Sequence, residues 1–168
     1  MGTVPFLIVG SVNIPQSKAI ERFVARRLGL FGIDPFEEAL VDSICELIRD
    51  LEQALLADES RCLMQIINVF TASLTAPFYR FLAVDLPDAL IVINRFISRA
   101  CGGFCVGCSL SLADIKVFQF LNPSIFLQQY GAWHAQLPSL LAQYPRVASL
   151  ITKVGAVHGI QAWIKKMH

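Results

Sequence analysis

Charge is what this sequence has least of. Only 16% of its 168 residues are Asp, Glu, Lys or Arg, and fourteen basic side chains against thirteen acidic ones leave a net charge of +1. Without an excess of one sign there is no electrostatic footprint for nucleic acid or for an anionic membrane surface. No basic region precedes the first apolar run, so no cleaved signal peptide is expected. Met1-Gly2 begins like a myristoylation signal, but Phe6 stands where that signal needs Ser or Thr. His134, His158 and His168 never pair at i,i+4 spacing, so no histidine metal site is expected. The five cysteines are odd in number and lack the spacing of a secreted scaffold. They are expected to be reduced, most of them packed as small apolar groups. The sequence has no internal repeat and no low-complexity segment.

What fills the space left by charge is apolar: 55% of residues are hydrophobic, and the mean hydropathy is +0.56. Two long stretches carry no formal charge, Cys62 to Tyr79 and Val117 to Pro145. The first contains Gln65, Asn68, Thr71, Ser73, Thr75 and Pro77; the second contains Asn122, Pro123, Gln128, Gln129, His134, Gln136, Pro138 and Gln143. Such polar groups are costly in hydrocarbon. The stretches therefore read as buried core helices plus an apolar partner surface, with no membrane span.

The chain opens on Pro5 to Val9, a short buried strand by pattern, with a turn at Gly10-Ser11 and a second short strand over Val12 to Ile14. Gln16-Ser17 starts a helix to Leu28, with Ile20, Phe23 and Val24 at helical spacing. Gly29 to Gly32 ends it, and Ile33-Asp34-Pro35 reads as a linker. Phe36, Leu40, Ile44, Leu47, Leu51 and Leu55 then repeat at spacings of four and three. They predict a long amphipathic helix running toward Arg61. Leu86-Pro87-Asp88 opens a helix to Arg99, which Cys101-Gly102-Gly103 stops. Further helices are expected from Ser111 to before Pro123, near Leu137 to Gln143, and through Val147, Leu150, Ile151 and Val154. A final turn is expected over Ile160 to Met167.

The sharpest local signal is Leu110-Ser111-Leu112-Ala113-Asp114-Ile115. Ser111 is placed to cap the helix start, Asp114 to reach back to the N–H of Ser111, and Leu110 and Ile115 to form the hydrophobic staple. Losing the Ser111 side chain should cost about 0.5–2 kcal/mol. Just upstream, Cys101, Cys105 and Cys108 have the C-x3-C-x2-C spacing that can ligate an iron–sulfur cluster. Enzymes that use that spacing need a large α/β barrel, and nothing here builds one. No metal is expected.

Phe104-x-Val106-Gly107-x-x-Leu110-Ser111-Leu112-Ala113-Asp114 resembles the folding element of the cytosolic glutathione S-transferase superfamily. Val4-Pro5 resembles the V-P turn that the family keeps in the cis form. Gln16 to Phe23 resembles its Q-S-x-A-I-x-R-[YF] helix start. Gly29 to Gly32, Glu38 to Asp42 and Tyr144-Pro145 resemble its linker, long helix and C-terminal region, and the pattern is nearest to the sigma class of the sigma, pi, mu and alpha group. The resemblance implies a mostly α fold: a glutathione-transferase C-terminal helical bundle over residues 33–168. Residues 1–32 would be a remnant β-hairpin plus helix, the third and fourth strands of a thioredoxin-like domain.

By the same resemblance Gln16 and Ser17 hold the γ-glutamyl carboxylate of glutathione, where free N–H groups and the helix dipole favour an anion. Val4, just before Pro5, pairs with its cysteinyl part, and Asp50 reaches the γ-glutamyl amino group of a neighbouring subunit. Ser111 and Asp114 are structural. On this reading the family's first two strands lie before the segment matched here. No residue, including Tyr79, Tyr130 and Tyr144, is then assigned the catalytic hydroxyl. The family activity is conjugation of glutathione to small electrophiles, expected to be weak or absent here. The alternative is a non-catalytic structural or protein-interaction module. Glutathione would be co-substrate, with no other cofactor. A homodimer or a protein partner would cover the exposed strand edge, and the protein would be cytoplasmic.

Overall fold

A computed structural model of the protein describes residues 5–67, 80–122 and 137–167. The Val4–Pro5 bond, Pro123, most of both uncharged stretches, Tyr79, Tyr130, His134 and His168 lie outside the described residues. The chain begins with an antiparallel hairpin. Strand β1 (Phe6–Val9) pairs with β2 (Val12–Pro15), Phe6 opposite Pro15 and Val9 opposite Val12. Helix α1 (Ser17–Arg27) follows directly, and α2 (Pro35–Ile67) is the long helix that the periodicity predicts. At 1.5 Å per residue α2 is about 50 Å long.

A π-helical turn over Phe81–Asp85 runs straight into α3 (Leu86–Arg99). Then come α4 (Leu112–Leu121), α5 (Leu137–Leu141), α6 (Pro145–Gly155) and α7 (His158–Met167). The sequence pattern does not reveal the π turn, and the tail is a full helix where the sequence predicts a final turn.

The core is helical. On α3, Leu86, Ala89, Leu90, Ile93 and Ile97 form one buried stripe at spacings of three and four. Each large member contributes about 1.5–3 kcal/mol by leaving water. The stripe meets Ile44, Ile48, Leu51 and Leu55 of α2, Val117, Phe118 and Leu121 of α4, and Val147, Leu150 and Val154 of α6. The hairpin takes no part in this core. Phe6 is 63% exposed and Ile8 61% exposed, so the strand that the apolar run Pro5 to Val9 predicts to be buried is not.

Ile33-Asp34-Pro35, read as a linker, also caps α2, which starts at Pro35. The Glu37 N–H donates to Asp34 Oδ1 at 2.9 Å, and Glu37 Oε2 accepts from the Ile33 N–H at 3.0 Å. Pro35, the first helical residue, has no N–H to satisfy. Gly32 is obligatory just before it. Its φ is +95°, and a Cβ there would lie 2.8 Å from both Glu37 Cβ and Glu38 N.

Helix α1 is bound to the bundle by charge. Arg22 Nε donates to Asp42 Oδ1 at 2.6 Å, and Arg22 Nη2 pairs with Glu46. Burial alone would lower the Arg22 pKa, but those two carboxylates outweigh it and raise it. Lys116 on α4, only 7% exposed, reaches Glu21 Oε2 at 2.9 Å. The Leu112 N–H donates to the Leu30 carbonyl at 2.6 Å, so the start of α4 is sewn to the turn after α1.

Candidate functional site

The corner between β2 and α1 is built by one strained residue. The Gln16 N–H donates to the Pro5 carbonyl at 3.2 Å, carrying the hairpin ladder one step past β2. Gln16 then turns the chain with φ 74° and ψ 120°, the one non-glycine residue with positive φ among the described residues. That conformation costs of the order of 1–3 kcal/mol and persists only where the surroundings impose it. It aims the first turn of α1 outward. Gln16 and Ser17 are both exposed.

Among the described residues no side chain caps this helix, and its first turn carries no acidic residue. Its leading N–H groups and the positive end of its dipole therefore face solvent. Lys18 adds positive charge in the same turn, 3.8 Å from Glu21 Oε2 and 3.7 Å from Glu52 Oε2. Arg26 and Arg27 sit at the other end, where cations suit the dipole. Such a corner can hold an anion, with the Gln16 amide and Ser17 hydroxyl as added donors.

Pro5 lies at this corner through its carbonyl, whereas Val4 is outside the described residues. Asp50 is exposed on α2. Among the described residues no hydrogen bond or ion pair joins it to Gln16 or Ser17. Only two residues along the chain, Glu52 does reach this corner, through Lys18.

Ser111 and Asp114 form the capping box that the sequence predicts. Asp114 is fully buried. Its Oδ2 accepts from the Ser111 N–H at 2.7 Å and from the Ser111 hydroxyl at 2.6 Å. Its Oδ1 accepts from the Cys105 N–H at 2.6 Å, a tie that the motif does not reveal. The cysteines depart from expectation. Cys101 and Cys108 are exposed and joined in a disulfide, while Cys45 and Cys105 are free and buried. Burial raises the Cys45 pKa to about 11. Burial first, then the adjacent Asp114 carboxylate, pushes the Cys105 thiol higher still. Among the described residues no group of three or more His, Cys, Asp or Glu is placed to hold a metal ion. None of the described helices is long and apolar enough to cross a membrane.

A hairpin feeding an open helix start, beside a helical bundle, is the arrangement that the sequence resemblance implies. The family model described as "Glutathione S-transferase, C-terminal domain" matches residues 65–167. Hematopoietic prostaglandin D synthase of Gallus gallus is 32% identical over 166 residues, covering 98% of this chain and 73% of the relative. Glutathione S-transferase 1 of Ascaris suum is 27% identical over 164 residues, covering 97% and 73%. The fold matches monomeric Na-GST-3 of Necator americanus with a TM-score of 0.75 at 24% identity, over 97% of this chain and 73% of that one. It matches a Nu-class glutathione S-transferase of Haemonchus contortus with a TM-score of 0.74 at 25% identity, over 97% and 72%. The chain belongs to the glutathione S-transferase family.

Proposed function

We infer that the corner at Gln16 and Ser17 binds the γ-glutamyl carboxylate of glutathione, and that conjugation to small electrophiles is weak or absent in this chain. The observation that carries the reading is the combination at Gln16: a strained backbone and a helix start with no side-chain cap. Had Gln16 and Ser17 served only to close the helix, a side-chain hydrogen bond to a first-turn N–H would be expected. The backbone of Val4 and Pro5 would take the cysteinyl part, and Asp50 would serve a neighbouring subunit. Weak activity is supported by the lack, among the described residues, of a hydroxyl matched to a catalytic role. The resemblance assigns none, and the one tyrosine among the described residues, Tyr144, has its hydroxyl 3.5 Å from the Pro87 carbonyl.

Calorimetry with reduced glutathione tests the binding, and the aryl-halide conjugation rate tests the activity. The reading expects a dissociation constant of about 1 mM or tighter, about −4 kcal/mol, with conjugation close to the buffer rate. Absence of binding sinks the first part. A rate far above buffer that scales with protein sinks the second.

The exposed hairpin favours a second reading, a non-catalytic interaction module. Phe6, Ile8 and Val12 are each about three-fifths exposed, and among the described residues β1 pairs only with β2. Such a surface calls for cover by a second copy or another protein. Size-exclusion chromatography with light scattering checks it, and a well-behaved monomer up to high concentration argues against it.

A further inference from the structure

The loop between α3 and α4 carries the one disulfide among the described residues, and the bond lies on the wall of a cavity. Cys101 and Cys108 are seven positions apart with a Cα–Cα distance of 4.7 Å, and both are exposed. The cavity has a volume of about 550 Å³, within the roughly 300–1,000 Å³ range of small-ligand pockets. Glu37 and Leu40 line it from α2, Arg95 and Arg99 from α3, and Cys101 and Cys108 from the loop. Arg95 and Arg99 are exposed, and their guanidiniums make no ion pair or hydrogen bond among the described residues. The Glu37 carboxylate is engaged by the Ile33 N–H. The wall therefore has a net positive charge with two free guanidiniums, which suits carboxylates and favours a thiolate at the neighbouring sulfurs.

The loop has anchors besides the disulfide. The Cys105 N–H is held by Asp114. The Lys153 ammonium donates to the Gly102 carbonyl and lies 3.8 Å from the centre of the Phe104 ring. At Gly107, with φ +60°, a Cβ would stand 2.8 Å from Glu37 Oε1, so the loop is pressed onto α2. With these anchors the bond can open and close without unfolding its surroundings. Cys105 is 1% exposed, and its buried thiol does not compete as an attacking group.

We propose that Cys101 and Cys108 are a reversible dithiol–disulfide site, and that the cavity beside them seats a small anionic thiol of the glutathione type as exchange partner. The thiolate of that molecule attacks one of the two sulfurs. The Cys101–Cys108 bond breaks as a mixed disulfide forms, and the other cysteine leaves as a thiolate and takes a proton from water. A second thiol attacks the mixed disulfide and releases its own disulfide together with the second cysteine thiol. Two small thiols are thus oxidised to one disulfide, and the protein disulfide is reduced to two thiols. Arg95 and Arg99 hold the carboxylates of the incoming thiol and stabilise the leaving thiolate. This site shares no residue with the corner at Gln16 and Ser17, so either can fail alone.

The test equilibrates the whole chain in mixtures of reduced and oxidised glutathione spanning roughly a thousand-fold range of ratios. Free thiols are then trapped by alkylation, and the peptides containing Cys101 and Cys108 are weighed. The pair should pass from disulfide to dithiol within that range, and Cys108→Ser should carry a glutathionyl group on Cys101. A pair that stays in one state throughout, or a Cys108→Ser protein with no adduct, overturns the proposal. Arg95→Ala with Arg99→Ala should slow reduction by both thiols, since the leaving thiolate loses its stabilising charge, but should slow reduction by glutathione about tenfold more than reduction by neutral 2-mercaptoethanol. Equal slowing by both thiols overturns the role given to the cavity. Unchanged circular dichroism of each variant separates these outcomes from misfolding.

Discussion

Two helices of this chain start at serines in family motifs, and the two starts are built in opposite ways. At α4, Ser111 and Asp114 are buried and fully occupied with closing the helix end. At α1, Ser17 is exposed, nothing caps the turn, and the residue before it is strained. Capping and anion binding draw on the same N–H groups, so a helix start can spend them on itself or offer them to a ligand. The α4 start does the first. The α1 start has the form of the second, at a cost in strain that its own stability gives no reason for.

The largest effect is expected from breaking the closed end. Asp114→Ala leaves two backbone N–H groups and the Ser111 hydroxyl without their buried acceptor. The loss should be about 3–5 kcal/mol, since each orphaned buried donor costs about 1–3 kcal/mol and the effects overlap. Denaturant unfolding measures it, and a loss under about 1 kcal/mol would mean that the end is not closed as described.

Alkaline pH attacks the same region more gently. Cys45 titrates near 11 in the folded protein against an ordinary thiol value of 9.0. Below pH 9 both states hold the proton and nothing is lost. Between pH 9 and 11 the unfolded chain ionises first, so stability falls as pH rises, by about 2–3 kcal/mol for this thiol. Cys105, whose backbone donates to Asp114, adds to the fall in the same direction. Cys45→Ala should flatten the alkaline limb of a stability–pH curve, and an unchanged limb counts against burial as the cause.

The two ends also differ in how far the sequence discloses them. The Ser111–Asp114 box is visible in the sequence because capping is local, a matter of residues three apart. The tie from Asp114 to Cys105 is not, because it depends on where the loop of residues 100–110 folds back. At Gln16 the motif gives the place but not the backbone conformation, since Gln has no intrinsic liking for positive φ. The long helices are legible from periodicity. The clamp from Arg22 to Asp42 and Glu46 is not, because both acids look like any solvated helix face until α1 is docked. The disulfide is hidden for a similar reason: C-x3-C-x2-C spacing says nothing of which thiols face out. Asp34-x-x-Glu37, with Pro35 as supporting signal, is a second capping arrangement that the sequence does carry, inside a segment whose turn chemistry reads as a linker.

The smallest effect separates the two starts most sharply. Ser17→Asp places a carboxylate at the open end of α1, where the dipole and free N–H groups favour it. Stability should rise by about 0.3–1 kcal/mol, as for an acidic group in any first turn. That carboxylate also occupies and repels the site inferred for the γ-glutamyl group, so glutathione affinity should fall at least about tenfold, or about 1.4 kcal/mol. Stability and binding then move in opposite directions, which no general damage to the fold produces. At Ser111 the same change would set a second buried carboxylate against that of Asp114, a like-charge contact that destabilises the helix end. Thermal unfolding and calorimetry on Ser17→Asp decide the matter together. Unchanged affinity in a stabilised protein would mean that the open end of α1 is merely unfinished, and that glutathione, if bound, is held elsewhere.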